Sequence, residues 1–149
     1  MVDQISNILL ATLVGLFLWL LSIIIESNFL ITFLDQNLIM LIIGLLAVNG
    51  ASYSILMTKL REIKDKEPGA DFSRTINELD LSSREQVFLI YFVVMLQIFK
   101  NSHALFLRDE YVIMVLNVLL SSSFVYGIIL LADTSKAAFI LMKYDNTKQ

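Results

Sequence analysis

The chain has 149 residues, 57% of them hydrophobic, a formal net charge of −3 and no cysteine. Its mean hydropathy is +0.74, and soluble domains are only roughly 45–50% apolar. These values exclude a broad basic surface for nucleic acid. They also exclude disulfides, thiolate catalysis and thiolate metal sites. Four apolar runs fill most of the chain: Ile5–Ile25, Leu38–Met57, Val87–Phe99 with a continuation to Leu107, and Tyr111–Ala132. A span needs roughly 20 residues at 1.5 Å rise. The expected fold is therefore an all-α integral membrane protein with four transmembrane helices in a single domain. The spans fall at about 5–25, 37–58, 84–105 and 111–132.

The first run follows Met1-Val2-Asp3-Gln4, which lacks the basic region of a signal peptide, and no small-residue cleavage site follows it. It reads as a retained span. Ala11 and Gly15 here, and Ala47 and Ala51 in the second run, are small-xxx-small pairs. Such pairs let another helix approach closely, or else they are incidental residues facing lipid.

Between Glu26 and Asn37, the apolar residues 29–34 are too few to span. They are expected to lie in the outer interface or fold back on the bundle. A re-entrant pore loop is the sharper reading, but the segment lacks Gly and Pro for a tight turn. The second helix is expected to start near Asp35–Asn37, any of which can cap. It meets no breaker before Pro68-Gly69. That is some 32 residues, roughly 48 Å, so it projects beyond the membrane.

The segment Thr58–Gln86 holds six basic and seven acidic residues. It is neither a polybasic lipid clamp nor a nucleic-acid binder. Leu56, Leu60 and Ile63 form one stripe at helical spacing, and Phe72, Ile76 and Leu79 form another. A short cytoplasmic amphipathic helix is expected between spans two and three, capped by Asp71. Ser82-Ser83-Arg84-Glu85 is a capping-box pattern expected to start the third membrane helix. Two short amphipathic pieces build no core alone, so they pack on each other, on neighbouring subunits or on a partner. The candidate docking residues are Leu60, Arg61, Ile63, Lys64, Phe72, Arg74, Ile76 and Leu79. A self-capped, solvated connector is the plainer alternative.

The third run is interrupted by Lys100, Asn101 and His103. Glu26 or Asp35 is placed to pair with Lys100 or Arg108 across the outer rim. A lone histidine makes a poor metal site. After the fourth run, residues 135–144 read as an interfacial helix between Lys136 and Lys143, or as a continuation of the fourth helix. With four spans, nine of the eleven basic residues lie on the side of the termini and the middle loop. Both termini are therefore expected in the cytoplasm.

Asn49, Gln97 and Ser121 lie nine to twelve residues from charged or polar span ends. At 1.5 Å each, that places them about 13–18 Å deep. With Asn117, Ser122 and Ser123 they form a candidate intramembrane polar layer. It serves either as hydrogen-bond glue between helices or as the lining of a small ion channel in an oligomer. Nothing resembles a nucleophile–base set or a phosphate-cradling glycine loop. No enzyme activity, cofactor or metal is expected.

Known four-span families of this size are set aside on chemistry. Small multidrug transporters need a carboxylate in the first span, and quinone-linked disulfide-forming proteins need cysteines. The eicosanoid and glutathione membrane enzymes carry a Glu-Arg-x-x-x-Asn motif that this chain lacks. In size, span number and the charged segment Thr58–Gln86, the chain resembles small four-span components of bacterial antiphage systems. Among these it is most similar to the membrane subunit of the Kiwa defence system. The resemblance covers the whole chain as architecture. It implies a homo-oligomer in the bacterial inner membrane that senses an event there and engages a cytosolic protein partner.

Overall fold

A computed structural model describes residues 2–66, 73–102 and 109–146. These residues form four helices: α1 (Val2–Ile24), α2 (Phe29–Lys66), α3 (Ser73–Lys100) and α4 (Glu110–Asn146). All four are long and apolar enough to cross a membrane. Their outward faces carry Leu9, Phe17, Phe88 and Met40 in the open. That arrangement suits lipid as solvent and is costly in water.

The turn after α1 is built by hydrogen bonds. Ser27 N–H donates to Ser22 C=O and Glu26 N–H to Ile23 C=O. This Schellman pair closes the helix with Glu26 in the left-handed region, at φ 55°. Asn28 then caps α2, its carbonyl accepting from Thr32 N–H at 3.0 Å.

The helix boundaries differ from several expectations. Residues 29–34 form no re-entrant loop; they are the first turns of α2, with Leu34 in the core and Leu30 and Phe33 packed against it. With Asn28 as cap and no breaker nearby, the helix runs through Asp35–Asn37 rather than starting there. Its 38 residues measure about 57 Å.

The segment from Ser73 to Ser83 is not a separate short helix, because α3 is continuous across it. No Gly or Pro interrupts it, and Leu79 is held in line by burial against Leu56 and Leu60 of α2. The Ser82–Glu85 pattern therefore lies inside a helix and caps nothing. Residues 135–144 continue α4. Thr134 and Ser135 return their hydroxyls to Leu130 C=O and Leu131 C=O at 3.0 and 2.9 Å. That satisfies the side chains without stopping the helix.

Helix α4 is the hub, packing on the other three, while α1 rests almost wholly on α4 and α2 pairs with α3. The core joins Leu34, Leu38 and Ile42 of α2 to Leu89, Val93 and Leu96 of α3 and to Leu116, Leu120 and Leu130 of α4. Each set follows helical spacing. At one end, Lys100 Nζ meets both Asp35 carboxylate oxygens at 2.5 and 2.6 Å, and Gln97 Nε2 donates to Asp35 C=O at 3.2 Å. This rim ties α2 to α3.

Helix α1 approaches α4 at Gly15, beside Ala11, which is 2% exposed. A Cβ on Gly15 would lie 2.6 Å from the Ser122 backbone. Backbone cannot give way as a side-chain tip can, so Gly15→Ala is expected to cost about 1–3 kcal/mol. Gly50, where a Cβ meets nothing within 4 Å, is the control. Gly50→Ala should hold or raise stability by up to about 1 kcal/mol. Thermal unfolding of the two variants in detergent makes the comparison. Equal melting would show that the α1–α4 contact is not close-packed.

Candidate functional site

The polar residues inside the bundle gather in separate places. Gln97 sits at the Asp35–Lys100 rim. Ser122 and Ser123 turn their hydroxyls onto Val118 and Leu119 carbonyls at 2.7 and 2.8 Å. That leaves small, internally satisfied surfaces where α1 packs. Ser121 Oγ and Asn117 Oδ1 are buried without a protein hydrogen bond. Asn49 lies elsewhere, facing Ser82 and Gln86 of α3 and Thr134 of α4 around a cavity of about 50 Å³. Asn49, Gln97 and Ser121 therefore share no common lumen, and the single layer expected from their depths is not assembled.

The cavity at Asn49 is the more pointed arrangement. Gln86 is 1% exposed and Asn49 6%. Both ends of both amides, and Ser82 Oγ, have no protein partner. Donors and acceptors face one another across a space suited to one or two water molecules, each able to make two to four hydrogen bonds. A bare cation would satisfy the oxygens and leave the NH₂ groups unpaired.

On another side of α3, Glu85 accepts hydrogen bonds from Gln4 Nε2 of α1 and, at 3.0 Å, from Tyr126 Oη of α4. Nearby, Asn7 Nδ2 donates to Asp133 at 3.1 Å, and Asp133 pairs with Lys136 at 3.0 Å. Glu85 has no cation within ion-pair distance among the described residues.

Its position along α3 is also unusual. Only residues 86–99, 14 in all, separate Glu85 from Lys100, whereas 22 uncharged residues, 111–132, separate Glu110 from Asp133. The two lengths are about 21 and 33 Å. Only the second matches a hydrocarbon core of about 30 Å. Pairing with Tyr126, seven residues before Asp133, puts the shortfall at the Glu85 end of α3. A carboxylate drawn inward in this way marks a functional site by default. The short charge-free run is the sequence signal for this site, masked by the resemblance of Ser82–Glu85 to a helix start.

Above Glu85 a groove of about 530 Å³ opens between α1, α3 and α4. Its volume falls within the ~300–1,000 Å³ common for small-molecule sites. It exists because α1 leans on α4 and hardly touches α3.

The candidate docking residues divide. Leu60, Ile63 and Leu79 are buried, and Ile76 packs against the Leu56–Leu60–Leu79 cluster. Leu56 and Leu60 of one stripe thus meet Ile76 and Leu79 of the other, and Arg61 and Lys64 remain exposed. Phe72 and the Arg74 side chain lie outside the described residues, as do His103, Arg108 and the Asp71 cap. Ala47 and Ala51 are exposed, unlike the buried Ala11.

The amide cavity makes a double-mutant cycle informative. Asn49→Leu alone leaves Gln86 and Ser82 with poorer partners, at about 1–3 kcal/mol. Asn49→Leu with Gln86→Leu removes both polar groups and should cost less than the sum of the singles. Strict additivity in detergent unfolding would show that the two amides are independent.

Set against known proteins, the chain matches no family model, no curated protein sequence and no solved structure.

Proposed function

We propose that this chain is a non-enzymatic, homo-oligomeric subunit of a bacterial inner membrane. Its termini face the cytoplasm, and it senses an event at the membrane and engages a cytosolic protein. The observation that carries the reading is the uncovered face of α2. Gly44, Ala47, Ala51 and Ser54 repeat at three- and four-residue steps, and all four are exposed. A Cβ on Gly44 would meet nothing within 4 Å. Burying a small-residue seam against lipid gains little, whereas a second α2 laid along it gains close backbone packing. The same helix carries Arg61 and Lys64, exposed, on the end that runs past the Asn49 level. Among the described residues, the carboxylates Asp35, Glu85 and Asp133 are each engaged by neighbours, which supports a non-catalytic reading.

The absence of native cysteine makes the oligomer directly testable. Ala51→Cys in native membranes should form an oxidant-driven dimer. Gly44→Leu with Ala47→Leu should reduce that product several-fold, in line with losing a close-packed seam. Monomer alone under oxidation would sink the α2 seam.

Docking is tested separately. Arg61→Glu with Lys64→Glu should abolish co-purification of a cytosolic partner while leaving the Ala51→Cys dimer intact. Unchanged capture would remove the α2 end from the interface. The antiphage setting enters through the architectural resemblance, and plating phage on hosts with and without the gene reads it. Equal plaque counts across a phage panel would count against it.

A further inference from the structure

We infer that the groove between α1, α3 and α4 holds one chain of an aminophospholipid, its ammonium group on Glu85 and its phosphate on Arg84. The walls are apolar, built from Ala11, Phe88, Leu89, Phe92 and Leu119, with Thr12 at the open edge. The Thr12 hydroxyl is spent on Ile8 C=O at 2.8 Å, and the Ser122 and Ser123 hydroxyls on their own helix. The middle of the groove therefore asks for hydrocarbon and no polar ligand atoms. Phe88 is 71% exposed, so the wall runs directly into the lipid-facing surface.

The end of the groove asks for the opposite chemistry. Glu85 carries a negative charge that Gln4 and Tyr126, both neutral donors, orient without compensating. Each carboxylate oxygen keeps an acceptor site for a third donor. Next to it, among the described residues Arg84 is bound only to Asp80, at 2.9 Å, in an exposed i,i+4 pair. Such pairs are weak, so the guanidinium is free to turn onto a phosphate, which it grips through two parallel hydrogen bonds. A cationic group and an anionic group on successive residues, at the charged mouth of an apolar groove, complement a zwitterionic head. An ammonium with N–H donors fits Glu85 better than a quaternary one. A purely anionic head would face Glu85 unpaired.

The test is native mass spectrometry of the delipidated full chain, titrated in turn with dioleoyl phosphatidylethanolamine, phosphatidylcholine and phosphatidylglycerol. One phosphatidylethanolamine should be retained about tenfold better than either other lipid, as expected for a charge-assisted hydrogen bond. Glu85→Gln should erase that preference. Thr12→Trp, which fills the groove from its exposed edge, should lower retention of all three, and Phe92→Trp serves the same purpose if Thr12→Trp fails to fold. Equal retention of the three lipids by the unaltered chain would identify annular lipid and overturn the proposal. So would a preference for phosphatidylglycerol, or groove-filled variants that bind as before. Retention of the preference in Glu85→Gln would remove the ammonium from that carboxylate and overturn the assignment of the head.

Discussion

The close approach of α1 to α4 decides how the rest of the bundle is laid out. Gly15 presents no side chain to the Ser122 backbone, and the serines around it keep their hydroxyls on their own helix. Two backbones meet where bulkier residues would hold them apart. Helix α1 thereby commits to α4 and leaves α3 uncovered on one side. The groove, the reach of Gln4 to Glu85 and the belt through Asn7 and Asp133 all follow from that commitment. In hydrocarbon there is no water to rescue a loose interface, so small residues do the work that large apolar ones do in soluble cores.

Much of the helical content was legible because it rests on length and hydropathy alone. What misled was local chemistry that tertiary context overrode. Asp35–Asn37 look like a cap, yet Asp35 is spent on Lys100 and the cap falls to Asn28. Ser82 and Glu85 look like a capping box, yet Leu79 is clamped on Leu56 and Leu60, and the helix is already under way. Thr134 and Ser135 do not interrupt α4, because both hydroxyls fold back on the preceding turn.

The polar residues show a different limit of sequence. Depth along a span was readable only where its charged end sat at the membrane edge: Gln97, counted from the inward-drawn Glu85, lies instead one turn from Lys100 at the Asp35 rim, and azimuth was not readable at all. Asn49, Gln97 and Ser121 point to three different neighbours because each helix turns 100° per residue and the pairing of faces is set by the core. Gln86 was invisible as a site residue for the same reason. It became one only when α3 was seen to carry it against Asn49 and Thr134. The apolar stripe of the charged segment was visible, but not that Leu56 and Leu60 would find Leu79 of the same chain.

The continuity of α2 and α3 has a mechanical consequence. Beyond Asn49, α2 extends 17 residues to Lys66, about 25 Å. It does not run alone, since Leu56 and Leu60 grip Leu79 of α3. Two clamped rods resist bending far better than one, so the contact stiffens this extension. A tilt of about 10° within the bilayer then carries the far tip roughly 4 Å sideways at that length.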